Sequence, residues 1–110
     1  MQDLILITTS NALEGYKVTQ QLGLIRGITV RSRNIFGNIA GEFLTIFGGK
    51  NSIYTELCEQ TREEALQLLI RNAKDKGANA ILNMRYDANE ILKGVTEVLA
   101  YGTAVMVEKT

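Results

Sequence analysis

Residues Asn51 to Gly77 read NSIYTELCEQTREEALQLLIRNAKDKG. This stretch decides the fold, because it reads as one long amphipathic helix. Asn51 and Ser52 are N-cap residue types, whose short side-chain oxygens accept from the free N–H groups of a first turn. Glu56 and Glu59 follow within two turns, where carboxylates suit the positive helix end. Lys74 and Lys76 sit in the last turn, and Gly77 stands where a left-handed residue closes a helix. Tyr54, Leu57, Cys58, Thr61, Ala65, Leu68 and Leu69 follow the spacing of one apolar stripe. The helix would be on the order of 35–40 Å long.

Leu66, Ile70 and Ala73 fall to one side of that stripe at about 100° per residue. The apolar arc therefore widens towards the C-terminal end. The wide arc calls for a second packing partner, either another element of the chain or a neighbouring subunit.

Outward from the helix, the N-terminal run Asp3 to Thr9 is aliphatic and β-branched and reads as a strand buried on both faces. Tyr16 to Arg33 reads as a long strand or strand pair with apolar Val18, Leu22, Leu24, Ile28 and Val30, bent near Gly23 or Gly27. Asn34 is a possible cap for a second, nearly all-apolar helix over Ile35 to Phe47, ended by Gly48-Gly49. Its interior Gly37 and Gly41 cost about 1 kcal/mol each against alanine, so packing would have to hold it. Ala78 to Asp87 alternates, with Ala80, Leu82, Met84 and Tyr86 on one face and Ile81, Asn83 and Arg85 on the other. Val95 to Glu108 alternates too, and the linker Ala88 to Gly94 makes the pair a hairpin. The expected architecture is a single α+β domain over 1–110, in the order β-β-α-α-β-β, with a sheet packed against the long helix.

Composition narrows the function classes. The chain has 110 residues, is 45% hydrophobic, and carries no formal net charge. The lack of excess Lys and Arg argues against a general affinity for nucleic acid or anionic lipid. No apolar run reaches the ~18 residues of a membrane span. One Cys excludes an intrachain disulfide and the N-terminus resembles no signal peptide, so a cytoplasmic location is expected.

The chemistry-bearing residues are few. Structural zinc normally takes four Cys or His ligands, and this chain has one Cys and no His. Cys58 reads as a small core hydrophobe in the helix stripe, and it has no His to activate it. The carboxylates Glu56, Glu59, Glu63 and Glu64 read as the solvated helix face. The turn Gly48 to Ser52 precedes a helix N-terminus, so Lys50, Asn51 and Ser52 are anion candidates, although the phosphate-loop spacing is missing. Arg31, Arg33 and Asn34 complete the ligand candidates. The residues nominate no catalytic, cofactor-binding or metal-ligating side chain, and no cofactor.

Eight short motifs occur together in order. They are Thr8-Thr9, Leu13-Glu14-Gly15, Arg31-Ser-Arg-Asn-Ile35, Gly48-Gly49, Tyr54-Thr55, Arg62-Glu-Glu-Ala65, Gly77-Ala-Asn-Ala80 and Tyr101-Gly-Thr-Ala-Val105. Over nearly the whole chain this resembles the YbjQ family of small bacterial and archaeal proteins, often labelled heavy-metal-binding domains. The resemblance implies a compact α+β subunit assembled as a ring-shaped homopentamer, and no established activity. Many members carry Gly-Ala-Asn where this chain has Ser32-Arg33-Asn34, and Glu where it has Ile28, which points to a subgroup.

The reading is therefore an oligomeric scaffold or small-ligand binder whose partner is itself. Ile35, Phe36, Phe43, Leu66 and Ile70 are its interface candidates. The alternatives are an enzyme with its site at subunit junctions and a metal-binding protein as the family label suggests. An enzyme needs a perturbed acid or base in a pocket, and the sequence offers no obvious one.

Overall fold

In a computed structural model of the chain, the described residues are 4–32 and 50–110, with the side chains of 50–54 outside the description. They form β1 (Leu6–Ile7), β2 (Tyr16–Ser32), α1 (Lys50–Asp75), β3 (Ala80–Leu92) and β4 (Val95–Lys109). The order is thus β-β-α-β-β rather than the expected β-β-α-α-β-β. The segment expected to supply the other helix, 35–47, lies outside the described residues. The four strands form one mixed sheet in the order β1-β3-β4-β2, which makes this a single α+β domain.

Helix α1 starts at Lys50, so Asn51 and Ser52 are helical residues rather than its cap. Its other end closes as expected. The Ala78 amide donates to the Ala73 carbonyl at 3.0 Å and the Gly77 amide to the Lys74 carbonyl at 2.9 Å, with Gly77 at φ +85°. That is a Schellman closure, which satisfies carbonyls the helix would leave orphaned. The buried stripe is Thr61, Ala65, Leu69 and Ala73. Ala73 was expected off the stripe, yet it lies in the chain's own core, and Leu66 packs partly against that core.

These small residues let the helix sit low on the sheet. On β2 the face beneath it is Ile25, Gly27 and Thr29. A Cβ on Gly27 would lie 2.2 Å from the Ala65 carbonyl oxygen, so backbone meets backbone there. This corrects the alternation expected for β2. Leu24, Ile28 and Val30 lie on the opposite face, 61%, 45% and 48% exposed. Leu22 does pack on the core, because the β2–β4 register shifts between Gln21 and Gly23, where Gly23 adopts φ +103°.

A second irregularity reorients β3. Asn83 has φ +55°, and the register with β4 shifts between Leu82 and Arg85. Ile81 and Met84 therefore share the helix-side core, whereas strict alternation puts them on opposite faces. Ala80 and Leu82 join Val105 and Val107 in a smaller cluster, which Leu6, Leu13 and Tyr16 partly cover. Beyond the bulge, Tyr86 and Ala88 stand opposite Ala100 and Val98, on the helix side. The hairpin forms as expected, with a tighter turn at Lys93-Gly94.

β1 is far shorter than the strand read over 3–9. Only Leu6 and Ile7 pair, parallel to Ala80 and Ile81, and both are half-buried at a sheet edge. The following residues are stitched to the β3 bulge: the Asn83 amide donates to the Ser10 carbonyl (2.9 Å) and the Met84 amide to Thr8 (3.0 Å). Asn79 clamps the far end of β4. Its Nδ2 donates to the Val107 carbonyl (3.0 Å) and its Oδ1 accepts from the Val107 amide (2.8 Å). Asn79→Ala removes both bonds at a half-buried site and should cost about 1–3 kcal/mol, read as a lower urea midpoint with unchanged slope.

Candidate functional site

The helix lies over β2 and β4 and leaves the helix side of β3 open. A cleft of about 250 Å³ results, lined by Cys58, Thr61 and Arg62 of α1, Ala88 of β3, and Thr96 and Val98 of β4. A shallow extension, lined by Arg62, Tyr86, Asp87, Ala88 and Val98, continues it. Its walls are mainly apolar. Thr61 is 3% exposed, and its hydroxyl donates to the Leu57 carbonyl at 2.8 Å, so it presents only oxygen lone pairs. Cys58 is exposed, contrary to the buried stripe position expected for it.

Arg62 guards the mouth. Its guanidinium lies 6.0 Å from the centre of the Tyr86 ring, within cation–π range, and 3.9 Å from Glu59. The Tyr86 phenol is held above its ordinary value. Burial is the main cause, the Glu63 carboxylate adds to it, Arg62 opposes it, and Glu59 adds a little more. Tyr86 is therefore a neutral hydrogen-bonding phenol at neutral pH, not a base.

A larger, open groove of about 700 Å³ lies along the outer edge of β2. It is lined by Leu24, Ile25, Arg26 and Ile28 and by Leu68, Asn72, Asp75 and Lys76 of the helix. Asn72 Nδ2 donates to the Arg26 carbonyl at 2.6 Å. That carbonyl therefore points away from β4. By strand alternation the main-chain groups of Leu24, Ile28 and Val30 point outward with it.

The residues nominated from sequence are scattered. Arg31 faces the helix and pairs with Glu64, in neither cleft. Lys50, Asn51 and Ser52 occupy the first helical turn, with side chains outside the description. Arg33, Asn34, Ile35, Phe36 and Phe43 also lie outside the described residues. Leu66 and Ile70 are half-buried. The cleft residues Arg62, Tyr86, Ala88, Thr96 and Val98 were not nominated. Cys58 and Arg62 were legible as an i, i+4 pair, but the β3 bulge hid the side on which Tyr86 and Ala88 would lie.

Comparison with known proteins gives a consistent family. The sequence profile of a family described as "Putative heavy-metal-binding" matches residues 5–108. A UPF0145 protein of Solibacter usitatus is 54% identical over 92% of this chain and 90% of its own. Another, from Burkholderia thailandensis, is 53% identical over 96% and 95%. The fold is similar to a crystal structure of a protein of unknown function from the DUF74 family of Pediococcus pentosaceus. That match has a TM-score of 0.62 and 18% identity, covering 94% of this chain and 98% of that one.

The metal label can be tested against the donors present. The chain has one Cys and no His, and among the described residues no three Cys, Asp or Glu side chains converge as a ligand group. This donor set does not fit a soft-metal site, which favours several thiolates or imidazoles. What the profile and the relatives share is the whole-chain pattern of sequence, and on that pattern this chain belongs to the YbjQ (UPF0145) family.

Proposed function

We propose that this protein is a non-enzymatic homo-oligomeric scaffold that binds a small ligand, assembled as a closed ring. The observation that carries the reading is the exposed apolar row Leu24, Ile28 and Val30 on edge strand β2. Half-exposed apolar residues in a row on an open edge invite pairing with another chain. A formal net charge of zero does not oppose like-with-like association.

The count of five rests on the family resemblance. The ligand reading rests on the cleft between α1 and the β3–β4 hairpin, whose apolar walls suit a small, mainly apolar molecule. Sedimentation equilibrium or native mass spectrometry at micromolar concentration tests the assembly. The expected mass is five times the 12.2 kDa chain. A stable monomer refutes the reading, and a dimer or trimer refutes the ring size.

A further inference from the structure

We infer that the outer edge of β2 receives the free edge of β3 from a second copy, and that this junction closes the cleft around Cys58 and Arg62. The inference rests on the assembly reading above and names the surfaces that meet. Two strand edges are open among the described residues. Among these residues β2 pairs with no strand but β4, and on its other edge the Arg26 carbonyl accepts from Asn72 Nδ2 and the Val30 carbonyl from Arg31 Nη1, so a second strand laid there would displace those two side-chain bonds. β3 pairs with β1 only at Ala80 and Ile81, and the stitches from Thr8 and Ser10 end at Met84, so Tyr86 to Leu92 has one unpaired edge. An unpaired edge is a template for strand addition.

The two edges complement each other in charge and shape. β2 carries Lys17 and Arg26 and no acidic residue, its Arg31 being paired with Glu64 on the helix side, while Tyr86 to Leu92 carries Asp87 and Glu90 and no basic one. Arg26 forms no ion pair among the described residues. Arg26 lies opposite Tyr101 and Asp87 opposite Leu99, so both are on the sheet face away from the helix. Beside the β2 edge runs the groove floored by Leu24, Ile28 and Leu68. The hairpin tip ends in Ile91 and Leu92, which are 51% and 68% exposed. The contact is heterologous, so repetition with a suitable rotation closes a ring.

The cleft follows from the same geometry. Its floor at Tyr86 to Ala88 is the edge strand itself. Each helix packs low over its own β2, at Gly27. A neighbour's β2 laid beside β3 therefore brings the neighbour's helix along the open side of the cleft. The cleft becomes a chamber between two helices, repeated at every junction.

The test uses the full chain with charge reversals at exposed positions. Arg26→Glu alone and Asp87→Lys alone should each raise the concentration for half-assembly at least about tenfold, and the double variant should restore it. The second readout is the rate at which Cys58 reacts with 5,5′-dithiobis(2-nitrobenzoate). It should be at least about tenfold slower in the wild-type assembly than in a dissociated single variant. If all variants assemble like wild type, the edge pairing is wrong while the assembly reading stands. Failure of the double variant to recover also overturns the pairing. Equal thiol rates in assembled and dissociated protein overturn the closure of the cleft. A wild-type monomer overturns the assembly reading itself.

Discussion

Gly27→Ala should strongly destabilise the protein. The added Cβ would sit 2.2 Å from the Ala65 carbonyl oxygen, 2.5 Å from the Leu69 amide nitrogen and 3.1 Å from the Leu68 carbonyl carbon. All three are helix backbone, so no side-chain rotation relieves the clash. Helix and strand must separate, and that separation loosens Ala65, Leu69 and Ile25, which are 0%, 0% and 3% exposed. Overpacking a core typically costs 1–3 kcal/mol and sometimes more, and a clash with fixed backbone belongs at the upper end, so a loss of about 3 kcal/mol or more is expected. Urea unfolding followed by circular dichroism measures it. Gly23→Ala is the control for the added methyl: its Cβ meets nothing within 4 Å, and its cost comes only from the positive φ. A Gly27→Ala variant as stable as wild type would show that the helix does not seat on this strand.

Leu24→Glu combined with Ile28→Glu should dissolve the assembly while leaving the subunit folded. Both side chains are substantially exposed in the isolated chain, on the sheet face away from the helix, so their replacement disturbs little of the core. Within an assembly they would be covered, and two buried carboxylates would each need a partner or a proton. The half-assembly concentration should rise by a hundredfold or more, given the size typical of central interface positions. Circular dichroism should retain the wild-type helix signal. An intact ring in the double variant would mean that the exposed row on β2 is not an intersubunit surface. A chain that loses its helix signal as well would mean the row supports the subunit's own fold.

The sequence by itself determined the local elements. The apolar stripe, the terminal lysines and Gly77 place a long helix that ends in a Schellman closure, because capping and amphipathicity are local properties. The final hairpin was legible for the same reason: a period of two on either side of Gly94 is a short-range signal. The eight motifs also placed the chain in its family. Faces and edges were different. Apolar Leu24, Ile28 and Val30 look like the core side of β2, but the helix takes the side with Ile25, Gly27 and Thr29. Glycine at position 27 lets the helix and strand backbones meet, and closeness of approach depends on two elements far apart in the chain. The bulge at Asn83 shifted β3 by one residue and moved Tyr86 and Ala88 to the helix side. A period-two pattern cannot register such a shift, since one inserted residue exchanges the faces of everything after it. The cleft with Cys58 and Arg62 was hidden for that reason. Its residues come from a helix and two strands whose meeting is decided by where the helix seats. That seat is set by small residues, Gly27, Thr61 and Ala65, which carry almost no signal along the sequence and permit close packing in three dimensions.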